Sequence, residues 1–155
     1  MQTPLAATAH VLLLRGDEIL LLRRLDRTGE EGPYDLVAGR LDGGETVTQA
    51  AMRSAFEEVG VTLAADRLRV AGVMHRLSED EQLPAGEHID FFVVASEWSD
   101  KPRNRQPERC SEMHWFALDA LPRTLVPFVR AGIENHRRGV SYSEFGWGSG
   151  KGSGK

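Results

Sequence analysis

The sequence contains a single cysteine, Cys110, among its 155 residues. A lone cysteine cannot form a disulfide within the chain, and a reducing compartment is the simplest expectation. The five histidines lack the paired spacing of zinc ligands, so a structural zinc site is not expected either. Burial of apolar side chains must therefore stabilise the fold, and a chain of this length is enough for one compact core.

An excess of positive charge and a long apolar run are also missing. The 19 basic and 23 acidic residues give a formal net charge of -4, which argues against binding to nucleic acid or to an anionic membrane surface. The first segment, "MQTPLAATAHVLLLRGDE", has no basic residue before its short apolar run, so neither a signal peptide nor a membrane span is predicted. We expect a cytoplasmic monomer or homodimer whose partner is a small molecule, with no nucleic acid and no membrane.

Residues typical of β-strands dominate four segments of the chain. The segment "TAHVLLLRGDEILLLRR" predicts a β-hairpin with its turn at residues 15–18, because Gly16 and Asp17 interrupt the apolar run. Two further strands are predicted in "DRLRVAGVMHR" and "HIDFFVVASEW", separated by the acidic loop "LSEDEQLPAGE", and a last one in "MHWFALDALP". The segment "DRTGEEGPYD" is predicted as a polar loop.

Two helices are predicted between and after these strands. The first covers residues 47–59, where Thr46 and Gln49 form a capping box and Gly60 supplies a C-terminal stop. The second covers residues 127–138 and begins with a proline, which suits a first helical turn. Strands around a central helix, with another helix near the C-terminus, predict an α/β fold with a mixed β-sheet and helices packed on it.

The end of the chain differs in composition from the rest. Its last ten residues, "GWGSGKGSGK", include five glycines and two serines. Such a composition is typical of flexible linkers. We therefore predict a single domain over residues 1–140 and a flexible tail over residues 141–155.

The first predicted helix is amphipathic. At 100° per residue, its alanines and other apolar side chains fall on one side, whereas Arg53, Ser54, Glu57 and Glu58 fall on the other. A solvated face with an Arg53–Glu57 pair, worth about 0.3–0.5 kcal/mol, is the ordinary interpretation. Adjacent carboxylates beside a glycine-rich loop, with Glu45 just before the helix, also suit a hard divalent cation such as Mg²⁺.

The stretch from Gly39 to Val61 carries a motif whose spacing is specific. It resembles the Nudix box, G-x5-E-x7-R-E-U-x-E-E-x-G-U, in which U is aliphatic. Ala55 and Val61 occupy the two aliphatic positions. Six matching identities occur by chance on the order of once in ten million positions at average residue frequencies; they are Gly39, Glu45, Arg53, Glu57, Glu58 and Gly60.

The resemblance implies a fold, a reaction and a set of ligands. The family has an α/β/α sandwich and hydrolyses a nucleoside diphosphate linked to another group, with Mg²⁺ or Mn²⁺ as cofactor. A nucleoside triphosphate is the default substrate for a chain this short, and nucleotide sugars or other nucleoside diphosphate derivatives are the alternatives. By resemblance, Glu57 and Glu58 bind the metal together with the backbone carbonyl of Ala38, and Glu45 and Arg53 form a supporting ion pair.

The general base and the substrate contacts are less well defined by the motif. By the same resemblance, Glu108 and Glu112 before the last strand are candidates for the base, with a solvated loop residue as the alternative for each. Arg23, Arg24 and Arg40 are candidates for phosphate binding, since guanidinium groups bind phosphate in a bidentate manner. Surface charge is the alternative for each of them, and we expect it to hold for at least one of Arg23 and Arg24. Asp90 is a candidate for lining the substrate pocket, and an acid at a strand edge facing water is its alternative.

One position departs from the family pattern in a way that affects catalysis. The glutamate that usually follows the arginine is Ser54 here. The helix geometry predicts that Ser54 still faces the site, yet a serine hydroxyl carries no charge and is no general base near neutral pH. Two functions follow: a hydrolase of reduced activity, or a Nudix-fold nucleotide-binding module or sensor. The change Ser54→Glu is expected to strengthen metal binding and to raise any activity.

Overall fold

The computed structural model describes residues 4–78 and 86–148. This part of the chain forms eight strands, a short 3₁₀ helix and two α-helices. No helix within it is both long and apolar enough to cross a membrane. The elements are, in order, β1 (Ala6–Arg15), β2 (Glu18–Leu25), β3 (Glu31–Asp35), β4 (Val37–Arg40), α1 (Val47–Val59), the 3₁₀ helix (Ala65–Arg67), β5 (Leu68–Leu77), β6 (Glu87–Ala95), β7 (Cys110–Ala117), α2 (Pro127–Arg138) and β8 (Tyr142–Phe145).

The strands form one mixed sheet in the order β3-β2-β1-β6-β5-β8, with β4 paired to β1 and β7 paired to β2. The pairs β1–β6 and β5–β8 are parallel, whereas the other pairs are antiparallel. Alternation along β1 assigns its side chains to two cores. Ala9, Val11 and Leu13 pack with α1 on one face, and Leu12 packs with Val129 of α2 on the other. The predicted α/β/α sandwich is confirmed.

Local sequence signals determine the bounds of both helices. The Thr46 side chain accepts a hydrogen bond from the Gln49 N–H at 3.1 Å, and the Gln49 side chain accepts one from the Thr46 N–H at 2.9 Å. This is the predicted capping box. Gly60 ends α1 with a φ of 74°, a left-handed conformation that glycine adopts without a Cβ penalty. Helix α2 begins at Pro127 and ends at Arg138, as predicted.

Two predictions about irregular segments are wrong. The second half of the predicted loop "DRTGEEGPYD" is strand β3, which accommodates Pro33 because it lies at the edge of the sheet. The predicted flexible tail does not begin at residue 141, because Tyr142–Phe145 pair with β5 and the Trp147 indole N–H donates to the His75 carbonyl at 3.0 Å. Residues 149–155 of that tail, and most of the predicted acidic loop, lie outside the described residues.

Candidate functional site

A bidentate ion pair fixes the loop after β4 against α1. Arg53 donates from Nη2 to Glu45 Oε1 at 2.6 Å and from Nε to Glu45 Oε2 at 3.1 Å. The same Nη2 donates to the Arg40 carbonyl at 3.0 Å, so one guanidinium joins the helix to both ends of the loop. Hydrogen bonding from Arg53 lowers the pKa of Glu45, which keeps this carboxylate ionised. The contact itself is the one that the sequence resemblance implied.

Strand β4 lies directly against the polar side of α1, and this changes the environment of Ser54. A Cβ at Gly39 would approach Ser54 Cβ to 2.8 Å, so a glycine is needed where the strand crosses the helix. Ser54 is only 1% exposed, and its hydroxyl donates to the Ala51 carbonyl at 3.2 Å. Ser54 is therefore buried against β4, beside Gly39, and its hydroxyl is already engaged by the helix backbone. Helix periodicity gives the direction of a side chain but not the strand that covers it.

The two adjacent glutamates of α1 have different surroundings. The Glu57 side chain is 53% exposed and its carboxylate lies 3.4 Å from Arg53 Nη1. The Glu58 side chain is 13% exposed, accepts from Arg24 Nη2 at 3.2 Å and receives a backbone hydrogen bond from Ala38. Burial raises the pKa of Glu58 despite the opposing effect of Arg24. A cation that approached Glu58 would compete with Arg24 for the same carboxylate.

The arginine beside Glu58 is Arg24, one of the two neighbouring arginines of β2 that were candidates for phosphate binding. Arg24 also donates to the Leu36 carbonyl at 2.6 Å, lies 3.3 Å from the Asp35 carboxylate and lies 3.8 Å from Cys110 Sγ. Contacts with strands β3 and β7 thus hold its side chain beside Glu58. Sequence reasoning could show that neighbouring residues of β2 point to opposite faces, but not which face meets α1.

Arg23 points away from the glutamates. Its Nε donates to the Gly32 carbonyl at 3.0 Å, its guanidinium lies 3.5 Å from Glu31, and it lies 5.3 Å from the centre of the Tyr34 ring. These contacts hold Arg23 on strand β3, on the side of β2 opposite to Arg24. The prediction that Arg23 contacts substrate phosphates is therefore not supported by its position.

Glu108 and Glu112, the two candidates for the general base, differ in their position and in their contacts. Glu112 lies within β7 rather than in a loop, and it accepts a hydrogen bond from the Tyr34 hydroxyl at 2.6 Å. This bond is the main cause of a lowered pKa at Glu112, which makes it a weaker base. Glu108 is exposed in the turn before β7. The loop that leads to this turn is held on α1, since the Arg105 N–H donates to the Glu58 carbonyl at 3.1 Å.

Asp90 lies inside the protein rather than on a surface. It is 0% exposed, and one oxygen lies 2.9 Å from His10 Nε2 while the other accepts from Arg76 Nε at 2.6 Å. Both carboxylate oxygens are therefore used within the protein. The interpretation as a water-facing strand-edge acid is wrong, because Asp90 is buried and bonded to His10 and Arg76.

Arg40 lies beside a cavity at the start of β1 and β6. The cavity has a volume of about 280 Å³ and opens next to the loop that Arg53 fixes. Apolar side chains form much of its wall, together with Arg40 and a buried histidine. Its lining residues are Pro4, Leu5, Ala6, Arg40, Leu41, Gly86, Glu87 and His88.

The arrangement of Glu57 and Glu58 can be compared with the two ways in which proteins bind divalent metal ions. Among residues 4–78 and 86–148, no group of three or more His, Cys, Asp or Glu side chains is placed to hold a metal ion. A closed site made of protein ligands alone does not fit this arrangement. Glu57 and Glu58 fit the other mode, in which Mg²⁺ takes one or two carboxylates and completes its shell with water and phosphate oxygens.

Comparison with known proteins identifies the family. The model of the NUDIX domain matches residues 4–135 of this chain. The chain belongs to the Nudix hydrolase family. The stretch from Gly39 to Val61 is therefore its Nudix box, and members of this family generally use divalent metal ions.

Relatives of known name and structure agree with this assignment. The NAD-capped RNA hydrolase NudC of Pseudomonas aeruginosa is 32% identical over 118 residues, which are 76% of this chain and 38% of that protein. An RNA pyrophosphohydrolase of Erythrobacter litoralis is 28% identical and covers 79% of this chain and 82% of that protein. The crystal structure of a MutT NUDIX hydrolase from Burkholderia pseudomallei matches with a TM-score of 0.74 at 26% identity, over 85% of this chain and 98% of that one. The Nudix chain described here thus spans well under half of the length of NudC.

The burial of Ser54 changes the outcome expected for Ser54→Glu. We expect this Nudix variant to lose about 1–3 kcal/mol of metal-free stability, because it places a carboxylate at a position where Ser54 is only 1% exposed. Mn²⁺ should then raise the Tm of the variant more than that of the wild type, because a third carboxylate would add to Glu57 and Glu58. Thermal unfolding with and without Mn²⁺ measures both effects, with Ser54→Ala as the control. Equal Mn²⁺ shifts in all three proteins would place position 54 outside the metal site.

Proposed function

We propose that this Nudix protein is a divalent-metal-dependent hydrolase that cleaves the phosphoanhydride bond of a nucleoside triphosphate or of another nucleoside diphosphate derivative. The observation that carries the proposal is the pair Glu57 and Glu58 at the end of α1, held beside β4 by Arg53, Arg24 and the close contact at Gly39. The names of the relatives, which include RNA pyrophosphohydrolase and NAD-capped RNA hydrolase, support a substrate built on a nucleotide.

Each residue of the site has a proposed role that follows from its position. Glu57 and Glu58 would hold Mg²⁺, with the carbonyl of Ala38 as a further ligand on the adjacent strand. The ion, when bound, offsets phosphate charge and lowers the pKa of a bound water. Glu45 would act through Arg53 as a positioning residue, because it contacts the helix and the loop but neither carboxylate of the pair.

The remaining charged groups would bind the substrate or accept a proton. Arg40 would bind a phosphate or sugar oxygen from the rim of the cavity, since its side chain is exposed there. Glu108 is the better of the two proposed bases, because Glu112 is engaged by Tyr34. Arg24 would keep Glu58 ionised and in place until a cation binds, since the two groups are 3.2 Å apart.

A nucleotide-binding sensor is the second candidate. It is favoured by Ser54, which supplies no carboxylate and whose hydroxyl is already bonded to the Ala51 carbonyl. Such a protein would bind nucleotides and a divalent ion with weak or absent turnover.

A substrate panel separates the two candidates. We expect release of phosphate, pyrophosphate or a nucleoside monophosphate when the protein is incubated with Mg²⁺ or Mn²⁺ and nucleoside triphosphates, nucleotide sugars, NAD, or short RNAs with a 5′-triphosphate or NAD cap. The RNA substrates also test the prediction that nucleic acid is not a partner. Nucleotide binding without turnover of any substrate would contradict the hydrolase and favour the sensor.

A further inference from the structure

The last turn of α1 is held by the loop between β6 and β7. The Arg103 N–H donates to the Val59 carbonyl at 2.9 Å, and the Arg105 N–H donates to the Glu58 carbonyl at 3.1 Å. The Arg105 side chain adds a third bond, from Nη1 to the Phe56 carbonyl at 3.0 Å. The final carbonyls of a helix have no amide partner within that helix. The loop therefore supplies hydrogen bonds that α1 cannot form by itself.

This end of α1 is also the end that carries the glutamate pair. Glu57 and Glu58 lie in the last turn, and helix ends are the parts that fray. Their negative charges lie at the end of the helix that is already partially negative, which is unfavourable. The last turn of α1 contains no basic residue of its own. The guanidinium of Arg105 supplies positive charge to this end from outside the helix.

The Arg105 side chain has a second point of contact on the same helix residue. Phe56 is 52% exposed, which is unusual for so large an apolar side chain, and the Nudix motif leaves its position open. The guanidinium carbon of Arg105 lies 4.9 Å from the centre of the Phe56 ring, within the range of a cation–π interaction. Phe56 thus holds the arginine through its ring and through its carbonyl.

The loop that carries Arg105 is fixed to the protein at further points. Ser99 and Thr62 exchange two main-chain hydrogen bonds of 3.0 and 3.1 Å, and the Asn104 side chain donates to the Cys110 carbonyl at 2.8 Å. A Cβ at Gly60 would approach two arginine side chains of the loop to 3.0 and 3.1 Å, so the loop packs directly on the end of α1. The arginine is therefore presented to the helix from an anchored segment.

We propose that Arg105 is a positioning residue for the divalent metal ion, because it holds the last turn of α1 and thereby keeps Glu57 and Glu58 in the arrangement that binds the ion. Arg105 acts through the helix and touches neither the ion nor the substrate. The proposal rests on the proposed function, which supplies the ion. It adds a residue outside the Nudix box on which the metal affinity of the box depends.

Binding of Mn²⁺ without nucleotide tests the proposal, with electron paramagnetic resonance as the measurement. Arg105→Met keeps a long side chain but loses the charge and the donors, and it should weaken Mn²⁺ binding about tenfold, as is typical for residues that orient metal ligands. Arg105→Lys restores a charge above the Phe56 ring and should recover part of the affinity. Arg137→Met is the matched control, since it removes an arginine from an exposed pair on α2. Its affinity should equal that of the wild type.

A second variant reaches the same contact from the helix. Phe56→Leu removes the ring at an exposed position, where folding does not depend on burial. It should weaken Mn²⁺ binding about twofold to fivefold, the equivalent of an exposed cation–π contact. Thermal unfolding in metal-free buffer establishes that each variant is folded at the temperature of the titration. If Arg105→Met does not fold, Arg105→Lys and Phe56→Leu carry the test.

Amide hydrogen exchange provides a readout that a role in stability alone would not change. Coupling between two sites is reciprocal, so Mg²⁺ should slow exchange of the Arg103 and Arg105 amides in the wild type. The Gly139 amide, which bonds to the end of α2, should exchange at the same rate with and without Mg²⁺. In Arg105→Met without metal, the Arg103 amide should exchange faster than in the wild type.

Three results would overturn the proposal. They are a folded Arg105→Met variant with the Mn²⁺ affinity of the wild type, an equal loss of affinity in Arg137→Met, and Mg²⁺ binding that leaves exchange of the Arg103 and Arg105 amides unchanged. These failures are distinct from failure of the hydrolase proposal. Weaker Mn²⁺ binding by Arg105→Met in a protein without turnover would refute only the hydrolase. Turnover with unchanged Mn²⁺ affinity in that variant would refute only the role of Arg105, and a wild type that binds no Mn²⁺ would refute both.

Discussion

Replacing Glu58 by glutamine is expected to reduce kcat/KM by about 10²–10⁴-fold, because a bound metal ion contributes several kcal/mol of transition-state stabilisation. Glutamine has nearly the same shape but no charge, so it can keep a hydrogen bond to Arg24 and lose the attraction for a cation. The binding of Mn²⁺, measured by electron paramagnetic resonance, should weaken in parallel. Unfolding by urea provides the check that the variant is folded.

Glu97→Gln is the matched control for that experiment. Glu97 pairs with Arg67 on an exposed surface, and such pairs contribute about 0–1 kcal/mol to stability. Its replacement should change neither kcat/KM nor the affinity for Mn²⁺. Full activity and full Mn²⁺ affinity in Glu58→Gln would remove Glu58 from the metal site and would leave the hydrolase proposal without its central ligand.

The second large effect is expected on stability, at Asp90. Asp90→Asn should lower the free energy of unfolding by about 3–5 kcal/mol, because it leaves the nearly buried guanidinium of Arg76 without its counter-charge. For a domain of this size, that is a fall in Tm of roughly 6–20 °C. Thermal and urea unfolding measure the loss, with the exposed acid Asp66 changed to Asn as the control. A Tm equal to that of the control would show that the buried network adds little to stability.

The same group predicts how stability depends on pH. Burial would raise the pKa of Asp90, but hydrogen bonds from His10 and Arg76 outweigh it, so the pKa is lowered in the folded protein. The stabilisation by ionised Asp90 is then fully present above the ordinary carboxyl pKa of 3.8 and is lost as the pH falls through the lowered value. The difference in unfolding free energy between the wild type and Asp90→Asn should therefore shrink on acidification in that range. A difference that grows on acidification would contradict this sign.

The parts of the fold that the sequence predicted well are those determined by neighbouring residues. The bounds of α1 depend on Thr46, Gln49 and Gly60. Those of α2 depend on Pro127 at its first position and on Gly139, which directly follows its last residue. Strands β3 and β8 were missed because each has five residues or fewer, and such short strands are determined by their pairing with β2 and β5 rather than by their own sequence. Composition and periodicity predicted only an α/β fold. The α/β/α sandwich was predicted from the resemblance to the Nudix family.

The candidate site also has features that the sequence predicted and features that it did not. The contact between Glu45 and Arg53 could be expected because both residues belong to one contiguous motif. The burial of Ser54, the choice of Arg24 over Arg23 and the internal pairing of Asp90 could not, because each depends on which strand covers a given face.

Strand β8 has a consequence for how this protein tolerates shortening at its C-terminus. Tyr142–Phe145 cover the outer side of β5 with main-chain hydrogen bonds. Cleavage before Tyr142 would leave a ten-residue strand with a row of open amides and carbonyls, which is a template for association with other molecules. Tyr142–Phe145, which come just before the glycine-rich end of the chain, thus protect part of this edge of the sheet.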